Sequence, residues 1–177
     1  MANTYYLINS NVLTSSQTSV TFSSIPATYT DLVLRASIRH NGTGGNVWFV
    51  GAQFNAVTGS VYSDTFLVTD GSSVIPTGNT NETAFGVHAG TQVQNNYTAD
   101  TFSNTELYIP NYTSSLNKPW ASHLISENNA TTYNYLGFCA GLTRTTEAIT
   151  DILIKPNGSV GGFTAGSSFY LYGIKNT

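Results

Sequence analysis

Apolar and polar residues alternate with a period of two along much of this chain, and no segment shows the spacing of an amphipathic helix. Between residues 31 and 39, every second side chain from Leu32 to Ile38 is apolar, and mostly charged or polar residues lie between them. Residues 105–109 repeat this alternation, as do residues 150–155, which run into a Pro-Asn-Gly turn signal. The pattern predicts antiparallel strands with one buried and one exposed face.

Roughly eleven short strands of this kind follow one another, separated by clusters of Gly, Asn and Ser. The predicted strands span residues 3–9, 17–24, 31–39, 46–54, 63–69, 82–89, 105–109, 119–127, 132–142, 150–155 and 167–175. We therefore predict one all-β domain over residues 1–177, built as an antiparallel two-sheet β-sandwich. The longer connections near 55–62 and 89–101 suit the crossovers of a jelly-roll-like topology better than simple hairpins.

The composition favours a structural or binding protein over an enzyme. Only 8% of the residues are charged, against about 25% in an ordinary soluble domain. Thr, Ser, Asn and Gly together supply roughly 45% of the chain, while aromatic residues at 12% supply a core. Catalysis usually requires titratable groups with perturbed pKa values. Few such groups are present, so we expect no enzymatic activity and no cofactor.

Charge and hydropathy argue against two further kinds of partner. The net charge is −3 and the six basic residues are scattered, so we expect no nucleic-acid binding. No apolar stretch is long enough for a membrane span, and no signal peptide is visible, which predicts a protein made in the cytoplasm and not secreted. Cys139 is the only cysteine, so no intrachain disulfide forms, and we expect it to be buried on a strand.

Neither the histidines nor the loop carboxylates predict a metal site. The histidines lie on separate predicted strands or strand ends, without local ligand spacing: His40, His88 and His123. Four carboxylates lie in or beside loops: Asp64, Asp70, Glu82 and Asp100. The sequence that begins at Asp70 lacks the alternating ligands of a calcium loop, and we expect a simple turn there. No pair of carboxylates stands out as a glycosidase pair.

The aromatic residues are the candidate binding residues. Seven of interest are Trp48, Tyr62, Tyr97, Tyr112, Trp120, Tyr133 and Tyr135. They either fill the core and the seams between subunits or form a platform on which sugar rings stack. Because polar residues flank Tyr97 and Tyr112, we expect these two to be exposed. Together with Trp120, they are the predicted contacts for a glycan or a protein partner.

Three segments carry a resemblance to a known group of proteins. They are residues 19–35, which include Ser19–Pro26 and Tyr29–Arg35, residues 102–112, and residues 165–176. In this order they resemble small virion proteins and fibre-tip domains of tailed phages that infect marine bacteria and cyanobacteria. The resemblance covers most of the chain, and none of its motifs is catalytic.

The resemblance implies a β-sandwich structural protein on the outside of a tailed phage virion, where it contacts other capsid or tail proteins. A predicted strand begins close to Met1, which favours a capsid decoration (cement) protein or a small tail-associated subunit over a complete tail fibre. The alternative is a carbohydrate-binding receptor-recognition module, on a tail fibre tip or an adhesin, that binds a host surface glycan.

The strand patterns also predict self-association. Edge strands are usually guarded by Lys, Pro or inward charge, and this chain has few basic residues with which to do so. The C-terminal strand has Phe169 and Leu171 on one face and Tyr170, Tyr172 and Ile174 on the other, so both faces are expected to be covered. We expect a closed oligomer, with a homotrimer favoured by analogy with the family. Uncharged contacts should persist in about 1 M salt.

Overall fold

A computed structural model describes residues 4–42, 49–86, 97–129, 134–157 and 161–175, and within these ranges the chain forms strands and no helix. The strands are β1 Tyr5–Val12, β2 Val20–Phe22, β3 Asp31–Ile38, β4 Phe49–Phe54, β5 Tyr62–Thr69, β6 Val74–Glu82, β7 Phe85–Gly86, β8 Ser103–Ile109, β9 Lys118–Ser126, β10 Tyr135–Thr143, β11 Ile152–Asn157 and β12 Ser168–Ile174.

The strands form two antiparallel sheets. One has eight strands in the order β1-β12-β3-β8-β9-β10-β5-β6, and the other has four in the order β2-β11-β4-β7. In strands such as β8 and β9, alternate residues face the space between the sheets, as the period-two pattern predicted, whereas the edge strands β1 and β6 are largely exposed. The predicted fold class, an all-β two-sheet sandwich, is confirmed.

The strand order is that of a jelly roll with additions. Eight of the strands, namely β2 to β7, β10 and β11, correspond to the eight strands of a jelly roll. When these eight are counted in chain order, the small sheet consists of the first, eighth, third and sixth, in that spatial order. The large sheet carries the second, seventh, fourth and fifth of these eight. The hairpin β8–β9 is inserted between β3 and β10, and β12 and β1 extend the sheet beyond β3.

Aromatic rings join the two sheets at the centre of the core. Phe85 on β7 lies 4.3 Å from Trp120 on β9, measured between ring centroids. It also packs on Phe54 at 4.7 Å and on Tyr62 at 5.5 Å. All four side chains are buried, so apolar burial between the sheets provides the main stabilisation of the fold.

Lys118 is buried at the start of β9 and has no carboxylate partner among the described residues. Its ammonium group donates hydrogen bonds to the carbonyl oxygens of Ser114, at 2.7 Å, and Leu116. Burial lowers the pKa of Lys118 from its ordinary value. The side chain therefore acts as an internal tether for the loop that connects β8 to β9.

The strand β6 is the element that the sequence analysis missed. Pro76 and Gly78 interrupt its sequence, and Asn79 and Asn81 add further turn-forming residues. Pro76 has no amide hydrogen to donate to a neighbouring strand. This is tolerated because β6 is an edge strand and pairs only with β5. Of the strand predicted over 82–89, the structure describes β7 at Phe85–Gly86, and residues 87–96 lie outside the described ranges.

The edges of the large sheet are better guarded than the sequence suggested. A register shift, as at a β-bulge, lies between Leu7 and Asn9 on the edge strand β1. The other edge strand, β6, contains Pro76, and its pairing shifts register near Asp64. Bulges and prolines discourage strand addition. The expectation that scarce lysine leaves these edges unguarded was therefore wrong.

The C-terminal strand β12 is central, lying between β1 and β3. Phe169 and Leu171 are fully buried against the second sheet, and Ile174 is also buried. Tyr170 and Tyr172, on the opposite face, are only partly buried. The second sheet therefore covers one face of β12, as predicted, and the other face is only partly covered within the described chain.

Replacement of Gly141 by alanine should destabilise the protein. A Cβ atom at this position would lie 1.9 Å from Cζ2 of Trp120, which packs over the glycine from the neighbouring strand. We expect a loss of about 2 kcal/mol in the free energy of unfolding from this overpacking, measured by urea denaturation. In the control Gly59→Ala, the new Cβ would meet Val61 at an ordinary 3.8 Å, so stability should barely change. Equal stabilities for the two variants would contradict this packing.

Candidate functional site

The three residues predicted as binding contacts are buried. Tyr97 is 9% exposed, Tyr112 0% and Trp120 3%. The expectation that polar neighbours expose Tyr97 and Tyr112 was wrong. For Tyr112, the polar neighbours Asn111 and Thr113 lie in a turn after β8, and the ring packs in the core. None of the three rings is available to stack on a sugar in this structure.

Each of these residues has a structural contact instead. The Tyr112 hydroxyl donates a short hydrogen bond to the Pro26 carbonyl oxygen, and burial raises the pKa of Tyr112. Trp120 packs on Phe85 in the core. The Tyr97 carbonyl oxygen accepts a hydrogen bond from Arg39, at 3.4 Å, in a segment that Arg39 also contacts at Thr98.

The remaining aromatic candidates contribute little exposed surface. Tyr62 is fully buried, and its hydroxyl group donates to the carbonyl oxygen of Val57 at 3.0 Å. Tyr135 is partly buried against the core. Trp48 and Tyr133 lie outside the described residues.

The described histidines and carboxylates do not form a metal centre. His40 is buried in a β-bridge with Phe163, whereas His123 lies on the outer face of β9 and His88 is outside the described ranges. Across the described ranges, no group of three or more His, Cys, Asp or Glu side chains is placed to hold a metal ion. Cys139 is buried on β10, as predicted.

Two of the four carboxylates expected in or beside loops lie within strands. Asp64, on β5, is buried and accepts hydrogen bonds from Asn79 Nδ2 at 2.9 Å and from the Gly86 amide at 3.3 Å. Glu82 is the last residue of β6. Asp70 is in the β5–β6 turn, as predicted, and Asp100 is in a loop with positive φ.

An unusual surface is the outer face of the eight-stranded sheet, on strands β8, β9, β10, β5 and β6. Here the residues that alternation directs away from the core are themselves largely apolar. We define the outer apolar patch as Leu67, Val74, Pro76, Tyr108, Ala121, Ile125, Leu136, Phe138 and Ala140. Its most prominent ring, Phe138, is 58% exposed.

A groove crosses this patch. It has a volume of about 460 Å³ and runs over Ala121 and Ala140, whose small side chains form its floor. Phe138 on β10 and Leu67 on β5 are paired across the two strands, two residues along from Ala140. Their side chains form a ridge along one side of the groove. The groove and the ridge therefore lie side by side on the outer apolar patch.

The charged groups near the patch neutralise one another at its border. Arg35 Nε lies 2.6 Å from a Glu106 carboxylate oxygen, and this hydrogen bond raises the pKa of Arg35. The Tyr108 hydroxyl donates a hydrogen bond to an Asp31 carboxylate oxygen at 2.9 Å. The pKa of Tyr108 is raised mainly by burial and secondarily by this hydrogen bond. His123, the remaining titratable group along the groove, packs its ring 6.4 Å from Phe138.

The sequence of β10 already indicates this surface, although we did not predict it. In β10, both the buried Cys139 and the outward Leu136 and Phe138 are apolar, so the strand lacks a polar side. A strand that is apolar on both faces indicates cover on both faces. The same reasoning was applied only to β12.

Comparison with known proteins gives the chain no family. No protein-family model matches the sequence, and no curated protein matches it. Among solved structures, scytalido-glutamic peptidase with a transition state analog inhibitor matches with a TM-score of 0.35 and 11% sequence identity. The match covers 88% of this chain and 74% of the peptidase chain. Similarity at this level carries no argument about activity.

The described part of the chain contains no helix with the length and apolar character needed to cross a membrane.

The turn that joins β5 to β6 beside the patch should respond to acid. Asp70 Oδ1 accepts hydrogen bonds from the amides of Ser72, at 2.9 Å, and Ser73, at 3.0 Å. Bonds from the Ser72 hydroxyl and these amides lower the pKa of Asp70 from 3.8 to about 2. Because the folded-state pKa is the lower one, the turn's stabilisation is present above pH 3.8 and is lost as the pH falls through about 2.

We expect the Ser72 and Ser73 amide signals in NMR spectra to titrate with a midpoint near pH 2, and this response should disappear in Asp70→Asn. A midpoint at the ordinary value of 3.8 would show that these hydrogen bonds do not form in solution.

Proposed function

We propose that the protein is a structural component on the outside of a tailed phage virion, a capsid decoration protein or a small tail-associated subunit. It acts through contacts with other virion proteins and performs no catalysis. The observation that carries this proposal is the outer apolar patch, an exposed and largely apolar surface with a groove. Large exposed apolar patches mark interaction sites in soluble proteins.

Two further features support the proposal. The surface chemistry is dominated by hydroxyl and amide groups, with 8% charged residues, which suits association that salt does not disturb. Segments 19–35, 102–112 and 165–176 resemble those of tailed-phage virion proteins. Jelly-roll sandwiches serve both as viral capsid proteins and as lectins, so the fold is compatible with the role without identifying it.

Mass spectrometry of washed phage particles tests the proposal. The protein should be present in multiple copies per virion, in a constant ratio to the major capsid protein or to a tail protein. Particles washed in about 1 M salt should retain it, since the patch offers no ion pair for salt to screen. Detection in lysates of infected cells but never in washed particles would refute a structural role.

A carbohydrate-binding module is the second candidate, and one observation favours it. Exposed rings of Phe138 and Tyr108 line the groove together with His123 and Glu106. Aromatic faces pack on sugar rings, and imidazole and carboxylate groups can bond to sugar hydroxyls. This location differs from the one predicted at Tyr97, Tyr112 and Trp120.

A glycan array followed by calorimetry separates the two functions. For a glycan receptor, we expect binding that Phe138→Ala weakens by about tenfold, since one stacked ring contributes about 1 kcal/mol or more. Leu116→Ala, which changes an exposed apolar residue in the loop before β9 that does not line the groove, should bind unchanged. No binding at about millimolar glycan would exclude this second function.

A further inference from the structure

We infer that the outer apolar patch binds the same patch on a second copy of this chain, so that two large sheets pack face to face about a twofold axis. The inference rests on the proposed function in one respect, that this patch is a protein contact surface. It adds the identity of the partner and the geometry of the contact, and it proposes a dimer where analogy with the family favoured a homotrimer.

The exposed area fits a dimer interface. Six large side chains of the patch are each between 37% and 64% exposed. At roughly 200 Å² for a large side chain, they expose on the order of 600 Å². Adjacent small residues, among them Ala121 and Ala140, bring the surface close to the roughly 800 Å² that each partner contributes to a standard interface.

The charge distribution favours an identical partner. The residues that define the patch carry no charge, and Glu106, which also lines the groove, is paired with Arg35 at 2.6 Å. A strongly charged partner would find no complement here. A second copy brings an apolar surface of equal size, on which the Glu106 carboxylate is already paired with Arg35.

The shape of the patch is complementary to itself. The groove floor at Ala121 and Ala140 and the ridge of Phe138 and Leu67 occupy neighbouring rows of the same sheet. A twofold axis between these rows places the ridge of each copy in the groove of the other. Such isologous contacts bury the same residues on both subunits, and stacked sheets of this kind lie about 10 Å apart.

The faces of the sheet are also more open than its edges. The register shift in β1, together with Pro76 and the register shift in the β5–β6 pair, hinders the addition of a strand at either edge. Phe138 and Leu67 project from the face and remain more than half exposed. Face-to-face association therefore buries more apolar surface and meets fewer obstacles than edge-to-edge pairing.

Sedimentation velocity of the full chain, from about 1 to 100 μM, tests the inference. We expect a monomer–dimer equilibrium that persists in about 1 M salt. Phe138→Asp should raise the dimer dissociation constant at least tenfold, because it places two like charges and no ring in the contact. Ala121→Trp should do the same by filling the groove without removing apolar area.

Leu116→Asp is the matched control, since Leu116 is 70% exposed and lies in the loop before β9. It should leave the dissociation constant within about twofold. Far-UV circular dichroism confirms that each variant is folded, and Ala121→Trp serves as the test if Phe138→Asp does not fold.

Three results would overturn the inference: a monomer throughout the concentration range, a trimer, or a dimer that neither patch variant weakens. Particle mass spectrometry tests the virion role separately. A monomeric protein found in washed particles would retain the proposed function and remove the twofold dimer. A patch-dependent dimer absent from particles would remove the virion role and keep the dimer.

Discussion

The contact between Phe85 and Trp120, with ring centroids 4.3 Å apart, is the interaction on which the rest of the sandwich depends. Phe85 belongs to β7, whose described residues pair with β4, and its ring packs on Phe54, Tyr62 and Trp120. Trp120 lies on the inserted hairpin near the middle of the large sheet, and Gly141 leaves the space that its indole requires. One cluster of rings thus fixes both the distance between the sheets and the position of the β8–β9 hairpin.

That hairpin also determines the chemistry of the opposite face. Inward, it supplies Trp120 and Leu124 to the core, and outward, it supplies Tyr108, Ala121 and His123 to the groove. The small sheet has half as many strands as the large one and packs against its inner face only. The wide outer face is therefore left as the surface available to a partner, and its lack of charge restricts the partners that suit it.

Alternation of apolar and polar residues was enough to predict the two-sheet fold and most of its strands, because a strand buried on one face must show a period of two. The prediction failed where context outweighs local preference. Pro76 and Gly78 disfavour a strand in general, but they are compatible with β6 because an edge strand needs only one partner. Tyr112 has polar neighbours in sequence, yet the turn that contains Asn111 and Thr113 leaves its ring buried in the interior. The outer apolar patch depends on register between strands distant in sequence, such as β5 and β10, which local patterns do not encode.

The central position of β12 has a consequence for how the chain acquires its structure during synthesis. In the large sheet, β1 pairs with β12 alone, and β3 pairs with β12 on one side. Residues 5–12 therefore cannot pair in the sheet until residues 168–174 have been synthesised. Contacts this distant in sequence slow folding, because a long loop must close before they form. Until the ribosome has released this last strand, β1 and one side of β3 have no partner in the sheet. The nascent chain therefore contains unpaired strands that favour aggregation until residues 168–174 have emerged from the ribosome.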